Sequence, residues 1–134
     1  MIKHKPFILA SLLALFALVL ACNFSFSTAN IAETWMSADE EGNNRTTTFA
    51  PDAVFYAQVD LRNASDDTKL KAVWTAVNVE GAEPNTLINE TETTSGSAVL
   101  HFTLSNSNPW PAGTYKVDIY LEDKLAKTLE FTVQ

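Results

Sequence analysis

From Ile31 to the C-terminus, apolar and polar residues alternate with a period of two, and clusters of Gly, Pro, Asn and Asp break the alternation at strand-length intervals. A helix would need a 3.6-residue period, so this pattern confines the region to β-structure. Phe55, Ala57, Val59 and Leu61 alternate against Val54, Tyr56, Gln58 and Asp60. After the turn-forming run Asn63-Ala-Ser-Asp-Asp67, residues Thr68 to Val79 set Leu70, Ala72, Trp74 and Ala76 against Lys69, Lys71 and Thr75. That places Trp74 at the centre of the expected core. Ala98, Leu100, Phe102 and Leu104 form a third apolar face with His101 on its solvent side, and Tyr115, Val117, Ile119 and Leu121 form a fourth. A tight turn at Glu122 to Lys124 returns the chain through Leu125 to Val133, with Leu129, Phe131 and Val133 inward. Asn85 to Thr93 reads as a polar edge strand. Glu33 to Ser37 and Arg45 to Phe49 read as a strand pair around Glu40-Glu-Gly-Asn-Asn44. Eight short strands without a helix in residues 31–134 predict one all-β domain, an antiparallel two-sheet sandwich.

Three segments also resemble an immunoglobulin-like domain of bacterial extracytoplasmic proteins and lipoproteins. They are Thr46-Thr-Thr-Phe-Ala-Pro-Asp52 before an alternating strand, Lys71-Ala-Val-Trp74, and Trp110-Pro-Ala-Gly-Thr-Tyr-Lys-Val-Asp-Ile-Tyr-Leu121 before Lys127-Thr-Leu-Glu-Phe-Thr-Val133. The resemblance implies an immunoglobulin-like sandwich of seven to eight strands and no particular chemistry. Its usual last hairpin carries Asp-Gly, whereas Glu122-Asp123-Lys124 stands here. With one cysteine in the whole chain, a disulfide between the sheets is excluded.

The N-terminus carries a different signal. Lys3 and Lys5 head an uncharged run from Phe7 to Leu20, which ends in Val19-Leu20-Ala21-Cys22 and is expected to form a hydrophobic signal helix. This run is shorter than the ~20 apolar residues a membrane-spanning helix needs. The tetrapeptide resembles the lipobox of bacterial lipoproteins, which implies diacylation of the Cys22 thiol, cleavage before it and acylation of the freed amine. The alternative is an ordinary signal peptide in which Cys22 happens to lie near the cleavage site. On the lipobox reading, residues 1–21 are a signal peptide, 22–30 a lipidated cysteine with a short tether, and 31–134 the folded domain. The expected address is a bacterial cell membrane or outer membrane, on the extracytoplasmic side. Asn23 is not the aspartate that resembles an inner-membrane retention signal, which favours the outer membrane in a two-membrane cell. Fully extended, about ten tether residues reach roughly 30 Å, so the domain would sit close to its bilayer.

Several functions lack the residues they need. All sixteen Asp and Glu lie beyond residue 21, with only seven of the nine Lys and Arg, so the surface suits no nucleic-acid partner. Beyond that point a single histidine, His101, is present, with no serine in a nucleophile-elbow pattern. That leaves a catalytic triad and a zinc site without ligands, and no catalytic residue, cofactor or transition metal is expected. Four Asn-x-Ser/Thr matches, at Asn23, Asn44, Asn63 and Asn89, are read as unmodified in a bacterial chain.

Three weaker candidates remain. Asp39 and Glu41 crowd one turn and Asp66 and Asp67 another, offering oxygen ligands for calcium without the EF-hand spacing. Trp110, with Tyr120, could form an aromatic platform for a glycan or peptide, unless Trp110 closes the open end of the core. Asn89 and Thr91 lie on the polar edge strand, where a partner strand could pair. The resulting expectation is a lipid-anchored, non-catalytic binding or structural module facing another envelope protein or glycan. The alternative is a carbohydrate- or calcium-binding accessory domain.

Overall fold

The computed structural model describes residues 28–134, so the lipobox, the signal segment 1–21 and tether residues 22–27 lie outside the described residues. Eight strands are described and no helix: β1 Asn30–Ser37, β2 Thr48–Phe49, β3 Phe55–Arg62, β4 Thr68–Val79, β5 Thr86–Ser95, β6 Ala98–Leu104, β7 Gly113–Leu121 and β8 Lys124–Val133. They form two facing sheets, one ordered β1-β3-β6 and the other β2-β8-β7-β4-β5. All pairings are antiparallel except the short parallel contact of β2 with β8. This is the expected two-sheet sandwich, and β1 and β2 divide the N-terminal part of the chain between the sheets.

The core follows the alternation. Phe55, Ala57, Val59 and Leu61 from one sheet meet Leu70, Ala72, Trp74, Val117 and Ile119 from the other, all with at most 1% exposure. Phe131 lies in an aromatic cluster, with ring centroids 4.7 Å from Phe55, 5.5 Å from Phe49 and 5.5 Å from Tyr115. Trp74 is wholly buried, as expected, with its ring meeting Phe131 edge-on at 6.1 Å. Its indole nitrogen has no hydrogen-bond partner among the described residues, which costs about 1–3 kcal/mol against the gain from burying the ring.

Two hallmarks of immunoglobulin-type packing hold the sandwich without a disulfide. One is Trp74 on a central strand. The other is Tyr115 near the start of β7, whose hydroxyl donates to the Pro111 carbonyl at 2.6 Å and fastens the preceding connection to the core.

The Arg45–Phe49 strand needs correction. Only an isolated bridge joins Ser37 to Arg45, and the chain then leaves β1 so that Thr48–Phe49 pairs with β8 in the opposite sheet. Phe49 drives the crossing, because its ring packs against Phe55 at 4.9 Å and Phe131 at 5.5 Å, inside the sandwich. The backbone completes it, with Thr132 N donating to Thr47 O and Gln134 N to Phe49 O.

Gln58 lies on the face opposite Phe55, Ala57, Val59 and Leu61, as the alternation expects, yet it is covered. Gln58 is 2% exposed, because the 38–44 loop folds back over the outer face of β1-β3-β6. Its amide donates to Glu40 O at 2.9 Å and Ser37 Oγ at 3.1 Å, and the Trp35 indole donates to Gly42 O at 2.9 Å. Gly42 is required here: its φ is +78°, and a Cβ would press on Gln58 and the Trp35 indole.

Candidate functional site

The five-stranded sheet is wider than the sheet it faces, and the difference leaves an open seam between β5 and β6. β5 pairs only with β4, and β6 only with β3, among the described residues. Asn89, Thr91, Thr93 and Ser95 are in register with Trp74, Ala72, Leu70 and Thr68, so they share the inner face of their sheet. Among the described residues, no strand of the opposite sheet covers them. A groove of about 400 Å³ runs along this seam, between Thr91–Ser95 of β5 and Leu100–Thr103 of β6. Polarity on both faces of β5, read from the sequence as an edge strand, coincides with exposure of nearly its whole length.

Charge around the seam is predominantly acidic. Glu92 lies on the β5 lip 3.9 Å from Lys69, which is itself held closer, at 2.8 Å, by Asp123. That contact with Asp123 raises the Lys69 pKa. Glu90 pairs with Lys71 at 3.3 Å on the outer face of the sheet. On the β6 lip, His101 Nε2 is 3.5 Å from Glu40 Oε1, and its ring meets Tyr56 edge-on at 5.8 Å. His101 thus lies on the outer face but is partly covered by the 38–44 loop and Tyr56. Among the described residues, neither Lys nor Arg lines the groove.

A second hollow of about 380 Å³ occupies the opposite seam, bounded by Thr34, Met36, Thr46 and Leu129. Trp35 and Arg45 close it: the guanidinium lies 4.1 Å from the indole centroid and is bound to the Glu33 carboxylate. That hydrogen bond pulls the Glu33 pKa below the ordinary carboxylate range. The groups here satisfy one another.

The structure separates the two residues expected to form an aromatic platform. Trp110 is 7% exposed, stacks on Phe55 at 4.9 Å and donates through its indole to Ala53 O at 3.0 Å. It closes the core and offers no ring face to a ligand. Tyr120 lies on the outer face of the other sheet, where Lys71 Nζ sits 4.6 Å from its ring centroid.

The calcium candidates are likewise dispersed. The loop holding Asp39 and Glu41 follows Ser37, which pairs with Tyr56 at one end of β3; the turn holding Asp66 and Asp67 follows the other end, at Arg62. Asp39 accepts hydrogen bonds from the backbone of Asn43 and Asn44 at 3.0 and 2.8 Å, closing its own turn. Asp67 accepts from the Ser65 hydroxyl at 2.7 Å, which lowers its pKa. No group of three or more His, Cys, Asp or Glu positioned to hold a metal occurs among the described residues.

Sequence reasoning found the β5 edge and missed the groove beside it. Strand alternation reports which side of a sheet is buried; it carries no information about how far the facing sheet extends.

No protein-family model and no curated protein matches the chain. Solved structures do resemble it. An immunoglobulin-like protein from Pseudomonas aeruginosa superposes with a TM-score of 0.58 at 14% identity, covering 83% of this chain and 100% of that one. A mutant β-glucosidase from Listeria innocua in complex with laminaribiose aligns with a TM-score of 0.51 at 13% identity, over 83% of this chain but only 17% of the enzyme. An alkylpurine DNA glycosylase from Pseudomonas fluorescens, bound to DNA containing an abasic site analogue, aligns with a TM-score of 0.53 at 9% identity, over 88% of this chain and 33% of that one. At these identities the likeness concerns architecture alone, and the architecture is an immunoglobulin-like β-sandwich.

Proposed function

We propose that this chain is a lipid-anchored, non-catalytic module of the bacterial envelope that binds another envelope component through the open β5 seam. The observation that carries this reading is the bare edge of β5. Ten residues of extended backbone, exposed on both faces over nearly their whole length, lie beside a groove and have one neighbouring strand instead of two. Across the groove β6 likewise has one neighbouring strand among the described residues, and either edge at this seam is a ready template for a partner strand. Folds of this type also occur as small parts of larger proteins, as the 17% coverage of the Listeria β-glucosidase illustrates. Attachment to the bilayer rests on the lipobox-like Val19-Leu20-Ala21-Cys22. Several acyl chains would anchor stably where one would not, since each buried methylene contributes roughly 0.8 kcal/mol.

The glycan- or calcium-binding alternative draws no support from the site. Trp110 is in the core, Tyr120 is capped by Lys71, and Asp39 is engaged with its own turn.

A photoreactive residue placed at Thr91 in the lipid-anchored protein tests the reading directly in cells. A discrete adduct with one envelope component is expected, lost when Asn89 is replaced by proline while cooperative melting is retained. Absence of any adduct overturns the seam contact.

A further inference from the structure

We infer that the groove receives an extended, basic segment of a partner protein, which adds to the free edge of β6 as a fourth strand of the β1-β3-β6 sheet. This rests on the seam-contact reading and specifies where the segment sits and what it is made of. A strand on the outer edge of β5 would gain backbone hydrogen bonds and little else, because no second layer extends beneath it. Beside β6 the same segment gains those bonds together with a floor. Its inward side chains would lie over Thr91, Thr93 and Ser95 and next to Leu100 and Phe102. Hydroxyls beside apolar surface suit Thr, Ser and Val, and a large apolar residue would leave those hydroxyls without partners.

The outward side chains of the added strand would stand beside His101, where Glu40 is 3.5 Å from the imidazole. With Glu40 at this lip, no Lys or Arg among the described residues that line the groove, and sixteen Asp and Glu against nine Lys and Arg in the chain, these positions favour Lys or Arg on the partner. A second copy of this chain fits poorly. Self-pairing of β5 centred on Thr91 would oppose Glu90 of one copy to Glu92 of the other, and the sixteen Asp and Glu outnumber the nine Lys and Arg. The expected segment therefore alternates a cation with a small β-branched or hydroxyl residue.

The probe is the fluorescent peptide Lys-Thr-Lys-Val-Lys-Thr-Lys-Val with blocked ends, titrated against the full chain in detergent and followed by anisotropy. Two controls accompany it, the same peptide with Glu for Lys and one methylated on alternate backbone nitrogens. Saturable binding of the first alone is expected, weakened by salt. Thr93→Trp, which fills the groove from its rim, should weaken binding about tenfold or more. Leu125→Trp, exposed on β8 and three strands from β5 in the same sheet, should leave binding unchanged, and both variants should melt cooperatively. Equal binding of the acidic or methylated peptide overturns the inference, as does an inert Thr93→Trp. If Thr93→Trp is inert and the Thr91 adduct in cells is still abolished by Asn89→Pro, this inference fails and the seam contact stands. If neither substitution has any effect, both fail.

Discussion

The Tyr115 hydroxyl donates to the Pro111 carbonyl at 2.6 Å and locks the connection between β6 and β7 against the aromatic core. The phenol is buried against Phe131, whose ring lies 5.5 Å away at an interplanar angle of 14°. Tyr115→Phe keeps that packing and leaves the carbonyl unpaired, so a loss of about 1–2 kcal/mol is expected in urea unfolding. Burial also raises the Tyr115 pKa above the ordinary phenol value. A raised pKa means the folded state holds its proton more tightly than the unfolded chain. This contribution is therefore complete below about pH 10 and is lost as pH climbs through the folded-state value. Tyr115→Phe should accordingly flatten the alkaline decline in stability.

Trp110 and Trp35 should separate cleanly in acrylamide quenching. Trp110 is 7% exposed, whereas Trp35 is half-buried beneath Arg45. Trp110→Phe should leave the quenchable emission in place, and Trp35→Phe should remove it. Loss of the quenchable component in Trp110→Phe would return Trp110 to the surface.

The β7–β8 hairpin turns on two residues in left-handed conformation, Glu122 at φ 50° and Asp123 at φ 66°. These are the angles of the two-residue turn that Asp-Gly adopts readily, reached here without glycine. Side chains hold it: Glu122 Oε1 accepts from Lys69 N at 3.0 Å, and Asp123 pairs with Lys69 at 2.8 Å. Replacing a left-handed non-glycine residue with glycine relieves about 1 kcal/mol. Asp123→Gly should therefore stabilise the fold by about that amount in 1 M salt, where the exposed ion pair is screened. A destabilised variant at high salt would contradict the turn geometry.

Calcium should bind neither acidic turn. Asp39 already closes its loop on two backbone amides, and Asp67 is held by Ser65. Millimolar calcium should produce no heat in calorimetric titration and no shift in melting temperature.

What the sequence revealed and what it concealed divides along physical lines. β3, β4, β6 and β7 were legible because one face of each meets a core, and an alternating strand reports that directly. Phe49 misled because its apolar side chain fits the core from either sheet; only the three-dimensional path decides that β2 joins β8. Gln58 was hidden for a related reason. Its outward position is correct, but the 38–44 loop folds over it, and a covering loop leaves no trace in period-two patterning. Tyr115 had a local signal in Gly113-Thr-Tyr115 at the opening of a strand, which reads as a tyrosine corner once the preceding proline-bearing connection is considered. The seam was half legible. Polar residues on both faces of β5 announce an edge, yet the groove depends on the three-stranded sheet stopping at β6.

Membrane attachment through Cys22 is the claim on which the envelope role depends. Metabolic labelling with radioactive palmitate, comparing the native chain with Cys22→Ser, measures it directly. The expected result is a labelled, detergent-partitioning native protein and a Cys22→Ser variant that is unlabelled and retained in its unprocessed form. An unlabelled native protein, processed and partitioned no differently from Cys22→Ser, would contradict it.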